Sequence, residues 1–322
     1  MKAVCLTEPG RLKLTEINSN GREALLEVAA CGICQSDRKA FPVPPRGMDL
    51  PRVLGHEVVG TLLRDLEESS LLKGDRVVLW PAISCGKCSY CREGRENLCG
   101  SIRLFGYHLD GGFAEKVCLA SELIDSVRML KIPPGLVAAS ATFCEPLGCV
   151  VNGFSKLTAA PHRCLIIGAG LMGRLAARVA ALSGAEVLFH DLDQGRLDLA
   201  RTDGKVFGGQ QADVVFVAAS AEGAVQFGLE NLAPGGTILL FSGQARGGRL
   251  EVAHNEIHQK EQCLIGVYGC RFDDMKKALR LLSTGQVVVD DLLSRRIAID
   301  ELPTELAHQL KYDEYKVVML NQ

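Results

Sequence analysis

Between residues 164 and 269 the chain alternates short apolar runs with helical stretches, and this rhythm constrains the fold more than any other feature. The first run, 164–170, enters the glycine turn Gly168-Ala-Gly170-Leu171-Met172-Gly173, and a helical pattern follows over 171–182. Further apolar runs occupy 186–191, 213–220, 236–243 and 263–269, with helical stretches at 194–201 and 222–232. Apolar runs without polar alternation suit strands buried on both faces, and intervening helices supply the crossovers that parallel strands need. The expected architecture of this half is a doubly wound parallel sheet.

The glycine turn carries chemistry as well as shape. Gly168 allows the tight turn, Gly170 lets backbone approach a pyrophosphate, and Gly173 lets helix and strand pack closely. The helix beginning at Leu171 and Met172 offers free N–H groups to phosphate oxygens. Asp191 lies 18 positions past Gly173, at the end of the next strand, where a carboxylate accepts from both ribose hydroxyls. A 2′-phosphate there meets like charge, which favours NAD over NADP. Arg196 works the other way, because a nearby guanidinium accommodates that phosphate.

At 322 residues the chain is long enough for two domains. The first third reads as short strands, at 28–30, 58–63 and 76–80, broken by Gly, Pro and Asp. An alanine-rich helical stretch runs from about 135 to 156 with a break expected at Pro146. After the alternating half come an amphipathic helix at 273–282 and a strand-like run at 316–320. A net charge of −2 provides no footprint for nucleic acid. No apolar run reaches the length of a membrane span, and the N-terminal residues read as a strand, not a signal peptide. The expected location is the cytoplasm.

Cys85, Cys88, Cys91 and Cys99 sit in one short loop, separated by two, two and seven residues. Such spacing lets four thiolates converge on a tetrahedral ion such as Zn²⁺, and it leaves no position for substrate, so the site is structural. A disulfide pairing is the alternative, which a reducing compartment opposes. Two more residues with ligand chemistry, Cys34 and His56, lie far apart in sequence from this loop and from each other. Alone, Cys34 reads as a buried thiol and His56 as a core histidine.

Together, Cys31-Gly-Ile-Cys34-Gln35-Ser36-Asp37, Gly55-His56-Glu57, the four-cysteine loop, the stretch 106–115 (GYHLDGGFAE) and the glycine turn resemble the motifs of zinc-dependent medium-chain alcohol dehydrogenases. The segment 143–148 (FCEPLG) is similar to the sorbitol, polyol and threonine dehydrogenase branch, and the likeness covers essentially the whole chain. It implies a GroES-like, mostly β catalytic domain from 1–145 and 269–322, with a structural-zinc lobe at 81–105. A Rossmann domain would occupy 146–268. It further implies two zinc ions per chain, one catalytic and one structural. Cys34 and His56 would hold the catalytic zinc, completed by Glu57, directly or through water, and by Glu145. Asp37 would orient His56, and Ser36 would hydrogen-bond the substrate oxygen and begin a proton relay.

The implied reaction is hydride transfer between a secondary alcohol (a polyol, sugar alcohol or cyclitol) and NAD. Alternatives are a threonine-type amino alcohol, a simple alcohol, or a dehydrogenase-like protein that binds cofactor without turnover. Assembly as a homodimer or homotetramer is also implied. The sequence departs from the family pattern in three places. Lys39 stands where relatives place a histidine at the end of the relay. Gln35 is neutral where some relatives carry an arginine on the cofactor phosphates, a charge that Lys316 would help to supply. The interval between Asp191 and Asp213 leaves room for one helix, so a shortened cofactor domain with a narrower sheet is expected.

Overall fold

The computed structural model describes residues 1–18, 21–66, 69–244 and 248–321, and it separates into two compact units. One unit comprises Met1–Pro146 and Arg271–Gln322, and the other is Leu147–Cys270.

The first unit is built on a seven-stranded sheet. Its main path runs Met129–Lys131, Arg76–Leu79, Glu57–Leu62, Glu23–Gly32, Lys316–Leu320 and Leu293–Ile297, with Lys116–Leu119 pairing onto Glu23–Gly32. The last strand of the chain therefore lies between Glu23–Gly32 and Leu293–Ile297, joining the C-terminal strands to the sheet begun by the first third. It pairs antiparallel with Glu23–Gly32, Val318 opposite Gly32 and Met319 opposite Cys31. A second sheet joins Lys2–Glu8 to Arg11–Glu16 and to Arg52–Val53. Leu25, Leu54, Val58, Phe105, Phe113 and Met319 close one continuous core between these elements. The helix Phe272–Ser283 buries Phe272, Met275, Ala278, Leu279 and Leu282, the three- and four-residue spacing of an amphipathic helix.

The helical stretch before the boundary breaks at Thr142 and Phe143, between helices Ala138–Ala141 and Cys144–Phe154, and not at Pro146. Pro146 falls in the first turn of the second helix, where its missing N–H deprives no helical carbonyl.

The second unit is a six-stranded parallel sheet. Its spatial order is Lys205–Val206, Glu186–His190, Arg163–Ile167, Ala212–Val217, Leu232–Leu240 and Cys263–Gly266. In chain order that is third, second, first, fourth, fifth, sixth, the doubly wound arrangement. The narrower sheet expected from the short interval is not found. Lys205–Val206 forms a reduced third strand, paired to Leu188 and Phe189. What is missing is the helix after it, because only residues 207–211 link it to Ala212–Val217. An aromatic group occupies this region: His190 stacks on Phe227 at 3.8 Å between centroids, and Phe207 meets both rings edge-on. Among the described residues, no helix is long and apolar enough to cross a membrane.

Candidate active site and metal centres

In the first unit, the sulfur atoms of Cys85, Cys88, Cys91 and Cys99 all lie within 4.8 Å of one another. Cys88 and Cys91 are separated by 3.5 Å between sulfurs, and Cys85 and Cys91 by 3.9 Å. A tetrahedron with Zn–S bonds of about 2.3 Å has edges of about 3.8 Å, so the quartet fits zinc. All four thiols are free, which leaves the disulfide alternative without a bond. Gly86, at φ +69°, makes the turn between the first two cysteines. That turn brings the N–H groups of Lys87 and Cys88 onto the Cys85 sulfur and lowers its thiol pKa to about 6. Burial, together with the Cys88 and Cys99 thiols, raises Cys91 to about 12.

A second ligand set forms where two elements of the first unit meet. Cys34 precedes the short helix Gln35–Ala40, and His56 immediately precedes the strand Glu57–Leu62, which Glu57 opens. Their ligand atoms all lie within 4.8 Å of one another. Asp37 ties the two elements together. Its carboxylate accepts from the N–H of Cys34 at 2.9 Å and from that of Gly55 at 3.3 Å, and it faces His56 Nδ1 at 3.5 Å. With Nδ1 turned to Asp37, Nε2 is left for a metal, the usual arrangement of a ligating histidine. Burial disfavours the imidazolium, but Asp37 and Cys34 together more than offset it and hold His56 well above its ordinary value.

The 106–115 motif explains itself here. Gly111 N donates to Val53 O, Gly112 N to Gly55 O and Phe113 N to Leu54 O, all between 2.8 and 3.0 Å. A Cβ on Gly111 would stand 2.1 Å from Gly55 O. The two glycines let this segment run directly alongside the approach to His56.

Glu57 is buried with Lys316, and the two form a close ion pair. Burial raises the Glu57 carboxyl above its usual range, and Lys316 opposes that rise. The other carboxylate oxygen, Oε1, is buried without a hydrogen-bond partner, which suits a cation among the Cys34, His56 and Glu57 donors. Lys316 is thus placed differently from the expectation that it supplies charge to cofactor phosphates. Its ammonium is shielded from solvent and committed to Glu57. Glu145 is buried in the same unit, and its charge raises Glu57. Its carboxylate nonetheless lies outside the Cys34–His56–Glu57 group, so the four expected ligands are not all gathered together. Ser36 is half-buried beside the group, whereas Gln35 and Lys39 are exposed. Tyr107 went unremarked in the sequence. It packs its ring 6.2 Å from that of His56. Its only sequence signal was membership of the 106–115 motif.

In the second unit the glycine turn has the geometry a pyrophosphate needs. Gly168 has φ +102°, and a Cβ on Gly173 would stand 1.8 Å from Gly168 O. Gly170 is the N-cap of the helix Leu171–Ala181, so the N–H groups of Leu171, Met172 and Gly173 belong to its open first turn. Asp191 accepts from Ala169 N at 2.7 Å and from Asp193 N at 2.9 Å, which fixes its carboxylate against the turn. Arg196 reaches the same place: its Nη1 lies 3.3 Å from where a Cβ on Gly170 would stand.

Comparison with known proteins agrees across both units. Residues 20–129 match the family model for the alcohol dehydrogenase GroES-like domain, and residues 172–284 match that for zinc-binding dehydrogenases. The chain is 31% identical to D-altritol 5-dehydrogenase of Agrobacterium fabrum, covering 94% of each chain. It is 30% identical to L-galactonate-5-dehydrogenase of Escherichia coli, covering 85% of this chain and 84% of the other. A zinc-binding dehydrogenase from Sinorhizobium meliloti, solved with NADP, superposes with a TM-score of 0.90 at 28% identity over 99% of both chains.

Proposed function

Because this chain belongs to the zinc-dependent alcohol dehydrogenase family, we propose that it interconverts a secondary alcohol of a polyol, sugar alcohol or cyclitol with the ketone, using NAD. The observation that carries this reading is the gathering of Cys34, His56 and Glu57 around one point, with Asp37 behind His56. The two curated relatives are named for polyhydroxylated substrates, which supports the substrate class.

Cys34, His56 and Glu57 would hold a catalytic zinc, with Glu145 close enough to bias the charge of that group. When bound, zinc acidifies an alcohol hydroxyl or polarises a carbonyl, and the nicotinamide ring accepts or returns the hydride. The protein's own residues do the rest. Asp37 fixes the His56 ring and its tautomer, and Ser36 offers a hydroxyl to the substrate oxygen. Lys39, exposed next to this helix turn, leaves the relay to end in solvent. Cys85, Cys88, Cys91 and Cys99 would hold the structural zinc.

In the second unit, Gly168, Gly170, Leu171, Met172 and Gly173 would receive the pyrophosphate. Asp191 would take the ribose hydroxyls with Arg196 beside it. The fixed carboxylate favours NAD over NADP by like-charge repulsion of a 2′-phosphate. Asp191→Ser should therefore narrow the preference between the two cofactors. A homodimer or homotetramer in the cytoplasm completes the reading, to be checked by light scattering and fractionation.

The deciding experiment is a panel of polyols, cyclitols, amino alcohols and simple alcohols with NAD and NADP, read at the reduced-nicotinamide absorbance beside zinc analysis. Two zinc ions per chain and turnover of polyhydroxylated substrates support the reading. One zinc per chain with no reduction by any alcohol overturns it.

A further inference from the structure

Cys34 is carried by the helix Gln35–Ala40, and six residues of helix do not hold a fixed position by themselves. Two neighbouring side chains tie this helix to two different supports. Asp37, fully buried, accepts from Cys34 N and Gly55 N and faces His56. Arg38 turns instead to the helix Leu302–Ala307. Its Nη2 donates to Glu305 Oε1 at 2.6 Å, and its Nη1 donates to Glu305 O and, at 2.6 Å, to His308 O. Both carbonyls belong to the C-terminal end of that helix, where a guanidinium supplies donors the helix itself lacks. The Arg38 and Glu305 side chains are 8% and 5% exposed, so solvent does little to loosen the pair.

Glu305 is held in its turn. Arg295, on the strand Leu293–Ile297, pairs with its Oε2 through Nη1 at 2.7 Å and donates to its Oε1 through Nη2 at 3.1 Å. Leu302 and Leu306 of the same helix are buried in the core of the first unit. The strand that carries Arg295 belongs to the sheet that also contains Glu57–Leu62. A chain of short charged contacts therefore runs from the helix of Cys34, through Arg38, Glu305 and Arg295, to the sheet that presents Glu57.

We propose that Arg38 and Glu305 are positioning residues for the Cys34–His56–Glu57 group, clamping the helix of Cys34 at the place where its thiol meets the other two donors. This rests on the dehydrogenase reading above, in which that group holds the catalytic zinc. Cys34 reaches the group from a helix, and His56 and Glu57 reach it from a strand, so convergence depends on how helix and sheet are held together. A zinc–ligand bond tolerates only about 0.2 Å of variation. A helix free to shift by more than that weakens the site while the sheet stays folded. Asp37 braces the helix from the side of His56, and Arg38 braces it from the side of Glu305.

The test is Arg38→Met in the zinc-loaded protein. Methionine replaces much of the arginine stem, and Glu305 keeps Arg295 as its counter-ion, so the variant should remain folded. Competition with a chromogenic chelator should show one zinc per chain held about tenfold more weakly, with the ion of the four-cysteine loop unchanged. Glu305→Gln breaks the same clamp from the other side. It should weaken the same ion by less, because Arg38 keeps its two carbonyls. A lower melting temperature with both zinc affinities unchanged would overturn the proposal, and so would equal weakening of both ions. If the wild type holds only one zinc, the dehydrogenase reading fails by itself. Hydrogen exchange of metal-free wild type and Arg38→Met then decides the clamp: faster exchange confined to residues 34–41 upholds Arg38 as the anchor of Cys34, and unchanged exchange there removes the inference.

Discussion

Glu57 and Lys316 form an ion pair that solvent scarcely reaches, with side-chain exposures of 0% and 1%. Gly32, opposite Glu57 in the sheet, makes room for it: a Cβ there would stand 1.9 Å from Glu57 Oε2 and 3.1 Å from Lys316 Cε. Burial disfavours the lysine's charge, yet Glu57 and Cys34 together keep it above its ordinary value. Removing one member leaves the other charged and buried, which typically costs about 3–5 kcal/mol. Lys316→Met should show that loss in urea unfolding, and Glu57→Gln in the same background should restore part of it. A cycle in which the two changes simply add would show that the pair is not coupled.

The two ligand groups should separate under mutation. Cys34→Ala removes one donor from a site braced by Asp37 and the surrounding sheet, so the protein should stay folded, lose one zinc and lose activity. Cys88→Ala removes a donor from a loop organised mainly by its own thiols, so the same zinc analysis should report one ion lost together with a lower melting temperature. Removal of metal by a chelator should reproduce both effects in sequence. Equal melting temperatures for the two variants would contradict this division of labour.

What the sequence made legible follows from range. The alternation across 164–269 is a local signal, and it produced the parallel sheet and the glycine turn. The four cysteines are local as well, and their sulfurs converge as spaced. Lys205–Val206 escaped notice because two residues carry no periodicity, and only pairing to Leu188 and Phe189 makes them a strand. The partner of Lys316 depends on register across three strands, with Val318 opposite Gly32 and Gly32 opposite Glu57. No stretch of sequence near Lys316 records that. Glu145 shows the same limit: its motif identified a branch of the family, but the direction of one carboxylate is set by packing.

In the proposed catalytic centre Asp37 would act on a metal through two backbone amides and one imidazole, so its replacement should weaken metal binding more than it unfolds the protein. Loss of the carboxylate behind a ligating histidine typically costs about 10–100-fold in metal affinity. Asp37→Asn keeps the shape and loses the charge, and competition with a chromogenic chelator should register a weakening in that range. His56 should titrate at lower pH in the metal-free variant, measurable by NMR, because Asp37 helps, with Cys34, to hold its value up. An unmoved His56 titration would show that Asp37 is only a structural brace.

His190 gives the second unit a pH dependence whose sign can be worked out. Burial against Phe227 holds its value below the ordinary 6.5, with Asp191 opposing only in part. The unfolded chain therefore binds a proton at a pH where the folded unit does not, so stability rises with pH through this window. The contribution is complete above about 6.5 and is lost as pH falls through the lowered folded value. His190→Phe keeps the stack and removes the titration. The melting temperature of the wild type should fall more than that of the variant between pH 7.5 and 5.5, and parallel curves would rule His190 out as the source.

Within the shortened interval after Asp191, charge holds the turn that precedes Lys205–Val206. Asp203 accepts from Arg174 Nε at 2.5 Å and from Arg178 Nε at 2.9 Å, and Arg174 also reaches Thr202 Oγ1 at 2.9 Å. Arg174 and Asp203 are nearly solvent-free, so these bonds clamp the turn before Lys205–Val206 onto the helix that begins at the glycine turn. Asp203→Ala should cost about 3–5 kcal/mol, because it strands a buried guanidinium. Asp203→Asn keeps acceptors at one oxygen and should cost less. Because the clamp grips the helix that would receive the pyrophosphate, NAD affinity should fall in the same order as stability, which fluorescence titration with NADH can follow. Stability lost without any change in NADH affinity would show that the clamp supports the sheet edge alone.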